Sequence, residues 1–309
     1  MSDRHATRSL EPLPFDPTAP LVASGNLRRR QVISRLVQGL ATGSALVAVA
    51  VLVIVTYTVV QRGAGAITFS FLFHDPPQFG GAGGGIASAI VGTSLIVLLA
   101  MIIAAPIGIL CALYLVEFAG PRSVSGRLLR LALDMMQGLP TVVVGLFVLG
   151  LIVEPEHADS GFAGSVALAI IMLPLIARSS QEVLLTVPQT LRDASDALGV
   201  DRWRSVLTVI LPSALSGIVT GTILAVARAA GETAPLLVVD GTFTNSTTIQ
   251  VFGHAVPNIP VLIFTLAEAA DPNGFERAWG AALVLLGLIL IANIGARLLL
   301  ARNRRRMGL

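Results

Sequence analysis

The sequence predicts an all-α, polytopic membrane protein with six transmembrane helices. Hydrophobic residues make up 54% of its 309 residues, and charged residues make up 13%. A soluble domain carries about a quarter charged residues, so this composition is typical of a protein that is surrounded by lipid. The apolar residues also occur in long runs, and a helix that crosses the hydrocarbon core needs about 20 of them.

Six apolar segments are candidates for these helices. In chain order they are residues 40–60, 86–115, 139–153, 162–177, 213–239 and 279–300. Pro106, Pro140 and Pro174 lie in or beside three of the segments. Membrane helices tolerate proline where neighbouring helices satisfy the freed backbone groups, so we expect ordinary kinks at these three positions.

Residues 1–36 differ in composition from the remainder of the chain. They carry several charges and prolines and have no apolar run, which predicts a cytoplasmic, largely disordered tail and not a secretory signal. We expect residues 37–309 to form a single transmembrane domain.

The distribution of arginine predicts the orientation of the chain in the membrane. All 21 basic residues are arginines, and arginine-rich segments lie before the first span, after the second and fourth spans, and at the C-terminal end. The loops on the opposite side contain only Arg62 and Arg277, together with several acidic residues. Because short cytoplasmic loops are enriched in basic residues, we expect both termini to be cytoplasmic, which agrees with an even number of spans.

Residues 178–212 form the longest predicted cytoplasmic loop between spans. Pro188 can open a helix, because a proline at the first position loses no hydrogen bond that the helix needs. Gly199 can close it in a left-handed conformation. The spacing therefore predicts a short helix over about residues 188–198 near the membrane surface. Its apolar residues fall on one side at three- and four-residue spacing: Leu191, Ala194, Ala197 and Leu198.

The same loop contains a spaced motif: Asp193-Ala194-Ser195, three residues, Gly199, nine residues, and Val209-Ile210-Leu211-Pro212. This motif resembles the EAA loop of ABC importer permeases, in which Glu-Ala-Ala, Gly and Ile-x-Leu-Pro have the same spacing. Aspartate, serine and valine replace three of the family's residues. The resemblance implies the type I ABC importer permease fold, and a short helix that inserts into a groove on a separate ATP-hydrolysing subunit. It assigns that coupling role to the loop residues Asp193, Ala194, Ser195, Gly199 and Pro212.

Arg228 and Glu232 lie inside the fifth apolar segment. They are four residues apart, so they share one face of a continuous helix. An arginine that faces lipid costs about 2.5–3.5 kcal/mol on insertion scales, so we expect the pair to face the bundle interior or a water-filled path. Two interpretations remain open. The guanidinium can bind an oxyanion through its paired donors, or the pair can satisfy itself and only fix helix packing.

Three further segments resemble the phosphate permeases of the PstA type. They are RAAGETAPL at residues 228–236, LDMMQGLPTVVVGLF at 133–147 and ALVLLGLILIANIGAR at 282–297. Together with the loop motif, they extend over much of residues 86–302. The resemblance implies an importer of inorganic phosphate in the bacterial plasma membrane, and it makes Arg228 and Glu232 candidate residues of the substrate path.

The same resemblance implies the partners of the chain. They are a homologous second permease that forms a heterodimer with it, a dimeric ATP-binding subunit, an extracytoplasmic phosphate-binding protein and membrane lipid. The permease domain would then cover residues 37–309, with residues 178–212 as its coupling loop.

The composition disfavours several other functions. Without lysine, the chain cannot form a lysine-containing P-loop, so it cannot hydrolyse ATP in that way. The resemblance implies that ATP is hydrolysed in a partner subunit, and we expect no enzyme activity in this chain. Four histidines and Cys111 have no metal-ligand spacing, so we expect neither a metal nor a cofactor. A net charge of +3 indicates no nucleic-acid partner.

Two other transport functions remain as alternatives. A permease for another oxyanion, such as sulfate or molybdate, would use the same coupling loop. An ion-coupled secondary transporter would need no ATPase, and Arg228 and Glu232 would then form part of its ion path. A membrane enzyme is disfavoured, because no nucleophile and base stand out by their spacing.

Overall fold

The structure is a computed structural model that describes residues 27–75, 84–120, 122–241, 250–268 and 272–307. The described residues form helices and no β-strand, which confirms the all-α prediction. The chain divides into two compact units, Met1–Thr56 and Tyr57–Leu309.

Thirteen α-helices occur in the described residues. In chain order they are α1 (Leu27–Gly63), α2 (Phe69–Phe73), α3 (Ala87–Leu113), α4 (Val124–Gly138), α5 (Thr141–Val148), α6 (Glu154–Glu156), α7 (Gly161–Leu185), α8 (Gln189–Ala197), α9 (Arg202–Ser205), α10 (Leu211–Ala229), α11 (Ala234–Val239), α12 (Ile259–Glu268) and α13 (Pro272–Met307). Three π-helical turns extend or join them: Tyr114–Phe118 after α3, Leu149–Val153 after α5, and Val206–Ile210 before α10.

Five described helical segments are long and apolar enough to cross a membrane. They are Arg29–Ala66, Ala87–Phe118, Gly161–Leu185, Arg202–Ala229 and Asn273–Leu298. A sixth span is formed if Val124–Gly138 and Thr141–Glu156 are counted together, although the two parts are bent by 102°. The predicted number of six spans therefore holds when this bent pair is counted as one.

The predicted kink at Pro140 is wrong, because the chain breaks there. Leu139 has an extended conformation, with φ −70° and ψ 133°, and it separates α4 from α5. A residue before proline avoids the helical region for steric reasons, which explains the break. Pro106 and Pro174 instead lie inside the helices α3 and α7, and the kinks at these two positions stay predictions.

The prediction of one helix over residues 213–239 is also wrong. α10 ends at Ala229, and α11 begins at Ala234. Gly231 lies in the break, and Pro235 lies in the first turn of α11, where its missing N–H costs no intrahelical hydrogen bond. Glu232 is consequently outside both helices, between Arg228 and the start of α11.

α7 is the central helix of the unit Tyr57–Leu309. It packs against α3, α10, α4, α5 and α11. Small residues allow membrane helices to approach closely, and a β-carbon at Gly108 of α3 would lie 3.0 Å from the side chain of Ile176. The buried core between α3, α7 and α10 includes Ile96, Leu168, Met172 and Ala225.

α1 is apolar, and its side chains from Arg29 to Val55 are exposed. An exposed apolar helix of this length needs lipid or another protein around it. The helix begins at Leu27, so residues 27–36 are helical, whereas the predicted disorder of residues 1–26 lies outside the described residues. The division into residues 1–36 and 37–309 stays a prediction.

Candidate functional site

The helix α8 lies between α7 and α10, as the spacing of Pro188 and Gly199 predicts. Pro188 has φ −58° and precedes the first helical residue. Gly199 has φ +68°, a left-handed conformation that glycine adopts without a steric penalty. Its N–H donates to the carbonyl oxygen of Asp196 at 3.0 Å. The short helix and its glycine cap are therefore confirmed.

The residues of α8 divide between an exposed face and an inner face. The exposed face contains the apolar residues that the sequence placed on one side: Leu191, Ala194, Ala197 and Leu198. Asp193 is also exposed, and its carboxylate accepts a hydrogen bond from Gln189 at 3.2 Å. Ser195 is buried on the inner face. Of the predicted coupling residues, Ser195 is thus inaccessible to a partner, whereas Gly199 and Pro212 are exposed.

The inner face of α8 carries an ion pair that the sequence analysis missed. Arg192 donates through Nε and Nη2 to Oε1 of Glu117, at 3.1 and 2.8 Å. Its Nη1 donates to the carbonyl oxygen of Val187 at 2.7 Å, and Nη2 to that of Leu184 at 3.0 Å. The side chains of Arg192 and Glu117 are 14% and 3% exposed. A charge pair this deeply buried needs additional hydrogen bonds to its remaining donors, and the carbonyl oxygens of Val187 and Leu184 supply two of them.

A second ion pair joins α7 to α4. Arg178 of α7 donates to the carboxylate of Asp134, and both side chains are partly exposed. Gln137 of α4 also donates to the carbonyl oxygen of Pro174 at 3.3 Å. These contacts attach the first half of the bent helix pair to the central helix.

Arg228 and Glu232 remain close despite the break after α10. Arg228 lies in the last turn of the helix, and its Nε is 3.9 Å from Oε1 of Glu232. This distance is too long for a hydrogen bond. The carboxylate therefore acts on the guanidinium only electrostatically, and the N–H donors of Arg228 make no hydrogen bond to Glu232. The side chain of Arg228 is 64% exposed in the isolated chain, whereas that of Glu232 is 19% exposed. The predicted proximity is confirmed, but the shared helix face is wrong.

A buried polar cluster surrounds Asp240, which follows the last residue of α11 and lies outside the candidate spans. Its Oδ1 accepts from the backbone N–H of Val256 at 2.8 Å, and its Oδ2 accepts from Nδ2 of Asn258 at 3.1 Å. Burial raises the pKa of Asp240 to about 7, against the two hydrogen bonds that lower it, and Asp159 adds a smaller upward shift. The cluster holds the segment before α12 against α11.

Glu117, Asp134 and Asp240 have partners that are distant in the sequence. Glu117 is 75 residues from Arg192, and Asp134 is 44 residues from Arg178. In the sequence, Glu117 stands out only as a single acidic residue at the end of an apolar run. That signal does not indicate which residue pairs with it. Arg228 and Glu232 are four residues apart, so spacing alone was sufficient to identify that pair.

The comparisons with known proteins agree with this architecture. Residues 104–305 match the family described as "Binding-protein-dependent transport system inner membrane component". The chain is 36% identical over 302 residues to the phosphate transport system permease protein PstA 1 of Mycobacterium tuberculosis, covering 95% of this chain and 96% of that protein. It is 35% identical over 253 residues to the phosphate transport system permease protein PstA of Yersinia pestis, covering 82% and 85%.

A solved structure with the same fold is a bacterial ABC transporter involved in the import of the acidic polysaccharide alginate. The TM-score is 0.60 at 16% identity, and the match covers 87% of this chain and 98% of the other. At this identity the likeness concerns the fold alone. Since the family match covers most of the chain and the relatives match over nearly their whole length, this chain belongs to the binding-protein-dependent transport system inner membrane components, the permease family of ABC importers.

Proposed function

We propose that the chain is a transmembrane permease subunit of an ATP-driven importer that carries inorganic phosphate into the cytoplasm. The observation that carries this proposal is the similarity to phosphate permeases over 95% of the chain, which includes the segment around Arg228 and Glu232. An ATP-driven permease also requires a contact surface for the ATP-binding subunit. α8 offers such a surface, because it presents an exposed face of small and apolar side chains between two candidate spans.

α8 is the coupling helix in this proposal. Its exposed residues Asp193, Ala194 and Leu198 would contact the ATP-binding subunit, and Gly199 would let that subunit approach the end of the helix closely. α8 connects to α7 on one side and, through α9, to α10 on the other. A movement of the ATP-binding subunits would therefore reach both spans as a rigid-body displacement.

Arg228 is the proposed phosphate-contacting residue of the substrate path. A guanidinium offers planar, paired N–H donors that match phosphate oxygens, and the 3.9 Å separation from Glu232 leaves those donors free of a hydrogen bond to it. Glu232 would orient Arg228 or accept a hydrogen bond from a protonated phosphate. Sulfate carries no proton at neutral pH, so the carboxylate would favour phosphate over sulfate.

The proposed assembly contains a homologous second permease, two ATP-binding subunits and an extracytoplasmic phosphate-binding protein. It lies in the bacterial inner membrane with both termini of this chain in the cytoplasm, because the arginine-rich loops are then on the cytoplasmic side. The exposed side chains of α1 and Arg228 support a permease that is covered by lipid and by a second subunit.

Uptake competition tests the substrate. Cells that depend on this importer should take up radioactive phosphate, and an excess of unlabelled arsenate should compete more strongly than an equal excess of sulfate or molybdate. Stronger competition by sulfate or molybdate would refute the phosphate assignment and favour the importer of another oxyanion.

Mass spectrometry of the complex tests the ATP-driven mechanism. A tag on this chain, followed by isolation in mild detergent, should recover a second permease and an ATP-binding subunit. Recovery of the tagged chain without any ATP-binding subunit would contradict an ABC importer and favour an ion-coupled transporter.

A further inference from the structure

The coupling helix α8 is attached to the bundle by a side chain as well as by its two ends. Among the described residues, every side-chain hydrogen bond from α8 to the spans comes from Arg192. This residue binds the carboxylate of Glu117 and the carbonyl oxygens of Leu184 and Val187. One guanidinium therefore ties α8 both to the end of α7 and to the π-helical turn that extends α3.

The contact to Glu117 reaches a span that has no direct chain connection to α8. The chain links α8 to α7 and, through α9, to α10. Glu117 lies in the turn Tyr114–Phe118, which continues α3, and it is 75 residues from Arg192. α3 also packs against the central helix α7. A displacement of the end of α3 would therefore also change the packing of α3 against α7.

The position of Arg192 on the helix suits a transmitting role. Arg192 and Ser195 lie on the inner face, whereas Ala194 and Leu198 lie on the exposed face. A partner that pushes on the exposed face would press the inner face towards Glu117. Because the guanidinium is planar and holds three different acceptors at once, it resists rotation of α8 more than a single bond would.

We propose that Arg192 and Glu117 are positioning residues that transmit the movement of α8 to α3. This inference rests on the proposed function as an ATP-driven permease. Without the ion pair, Arg192 would still hold α8 to the end of α7 through the carbonyl oxygens of Leu184 and Val187. No side-chain hydrogen bond would then join α8 to the end of α3, so α3 would not follow the movement of α8. ATP would then be hydrolysed without a matching movement of the spans.

The test measures ATP hydrolysis and phosphate uptake in the same proteoliposomes, with the complete importer and its phosphate-binding protein. In Glu117→Gln we expect the complex to assemble and the ATP consumed per phosphate to rise about fivefold or more, as for the loss of a coupling between distant sites. Glu117→Asp keeps the carboxylate and should restore a ratio close to that of the unsubstituted complex.

Asp134→Asn is the matched control. It breaks the ion pair between α4 and α7, which is more exposed and does not involve α8. We expect its ratio of ATP to phosphate to equal that of the unsubstituted complex. An equal rise in Asp134→Asn and Glu117→Gln would contradict a specific role of the Arg192–Glu117 pair.

A second variant decides the case if Glu117→Gln does not assemble. Arg192→Lys keeps the positive charge, but a lysine side chain cannot bind Glu117 and both carbonyl oxygens at once. The ATP consumed per phosphate should therefore also rise in this variant. An unchanged ratio in an assembled complex of either variant would overturn the proposal. Loss of assembly in both, with Asp134→Asn intact, would also overturn it, because the pair would then serve folding. Absence of phosphate uptake in the unsubstituted complex would instead refute the proposed function.

Discussion

At the scale of single residues, Arg228 has an unfavourable environment in the isolated chain. Its guanidinium lies on a candidate membrane helix, is mostly exposed, and is too far from Glu232 for a hydrogen bond. Exposure of this group to lipid would cost about 2.5–3.5 kcal/mol on insertion scales. A second permease and a hydrated anion path would remove that cost, which is why the residue is placed in the substrate path.

Arg228→Gln should reduce phosphate uptake at least about tenfold, since a hydrogen bond to a charged group contributes about 1.5–3 kcal/mol. Recovery of the ATP-binding subunit with the tagged chain should remain unchanged. Arg127→Gln, which removes an exposed arginine of α4, is the control and should retain uptake. Near-normal uptake in Arg228→Gln would mean that the pair with Glu232 only fixes packing.

Asp240 makes the stability of the chain depend on pH. Burial raises its pKa to about 7 from a usual value near 3.8, so the folded state binds more protons than the unfolded state between these two values. The stability that the neutral carboxyl group contributes is therefore complete below pH 3.8, and it decreases as the pH rises towards 7.

Asp240→Asn should remove this dependence, because asparagine does not titrate. The thermal unfolding midpoint of the unsubstituted chain minus that of the variant, both measured in detergent, should decrease as the pH rises from 4 to 7. A difference that stays constant over this range would show that Asp240 is ionised in the folded protein.

At the scale of helices, the breaks in the candidate spans say more about the substrate path than the lengths of the spans do. α4 and α5 meet at an angle of 102°, and α10 and α11 are separated by residues 230–233. Irregular backbone at membrane depth is tolerated where it is buried in protein or borders a water-filled cavity. The break after α10 therefore agrees with a substrate path beside Arg228 and Glu232.

Gly199→Val should weaken the association of the ATP-binding subunit. A left-handed conformation costs a residue with a side chain about 1–2 kcal/mol, and a branched residue at φ +68° would change the end of α8. Gly199→Asn is the control, since asparagine tolerates this conformation. The measurement is the amount of ATP-binding subunit recovered with the tagged chain, and equal recovery from both variants would contradict the role of the cap.

At the scale of the whole molecule, the family match makes the chain a permease component of a larger transport system. The side chains of α1 from Arg29 to Val55 are exposed, and the exposed face of α8 is small and apolar. Both surfaces are expected for a chain that is completed by lipid, a second permease and ATP-binding subunits. The side of the membrane on which α8 lies depends on the orientation that the distribution of arginine predicts.

The orientation is tested with single cysteines in a Cys111→Ser background. Asp201→Cys lies between α8 and α9, and Glu156→Cys lies in α6; both positions are exposed. A membrane-impermeant maleimide should label Glu156→Cys in intact spheroplasts, and Asp201→Cys only after permeabilisation. Labelling of Asp201→Cys in intact spheroplasts would place α8 outside the cell and contradict the coupling function.

The sequence by itself determined the helical class, the approximate positions of five spans, the short helix α8 and the spacing of Arg228 and Glu232. These features depend on hydropathy and on residues a few positions apart, which a linear pattern records. The tertiary structure alone decided the buried position of Ser195 and the pairing of Glu117 with Arg192. The physical reason is that burial and long-range ion pairs depend on which helices become neighbours, and this follows from packing over the whole chain.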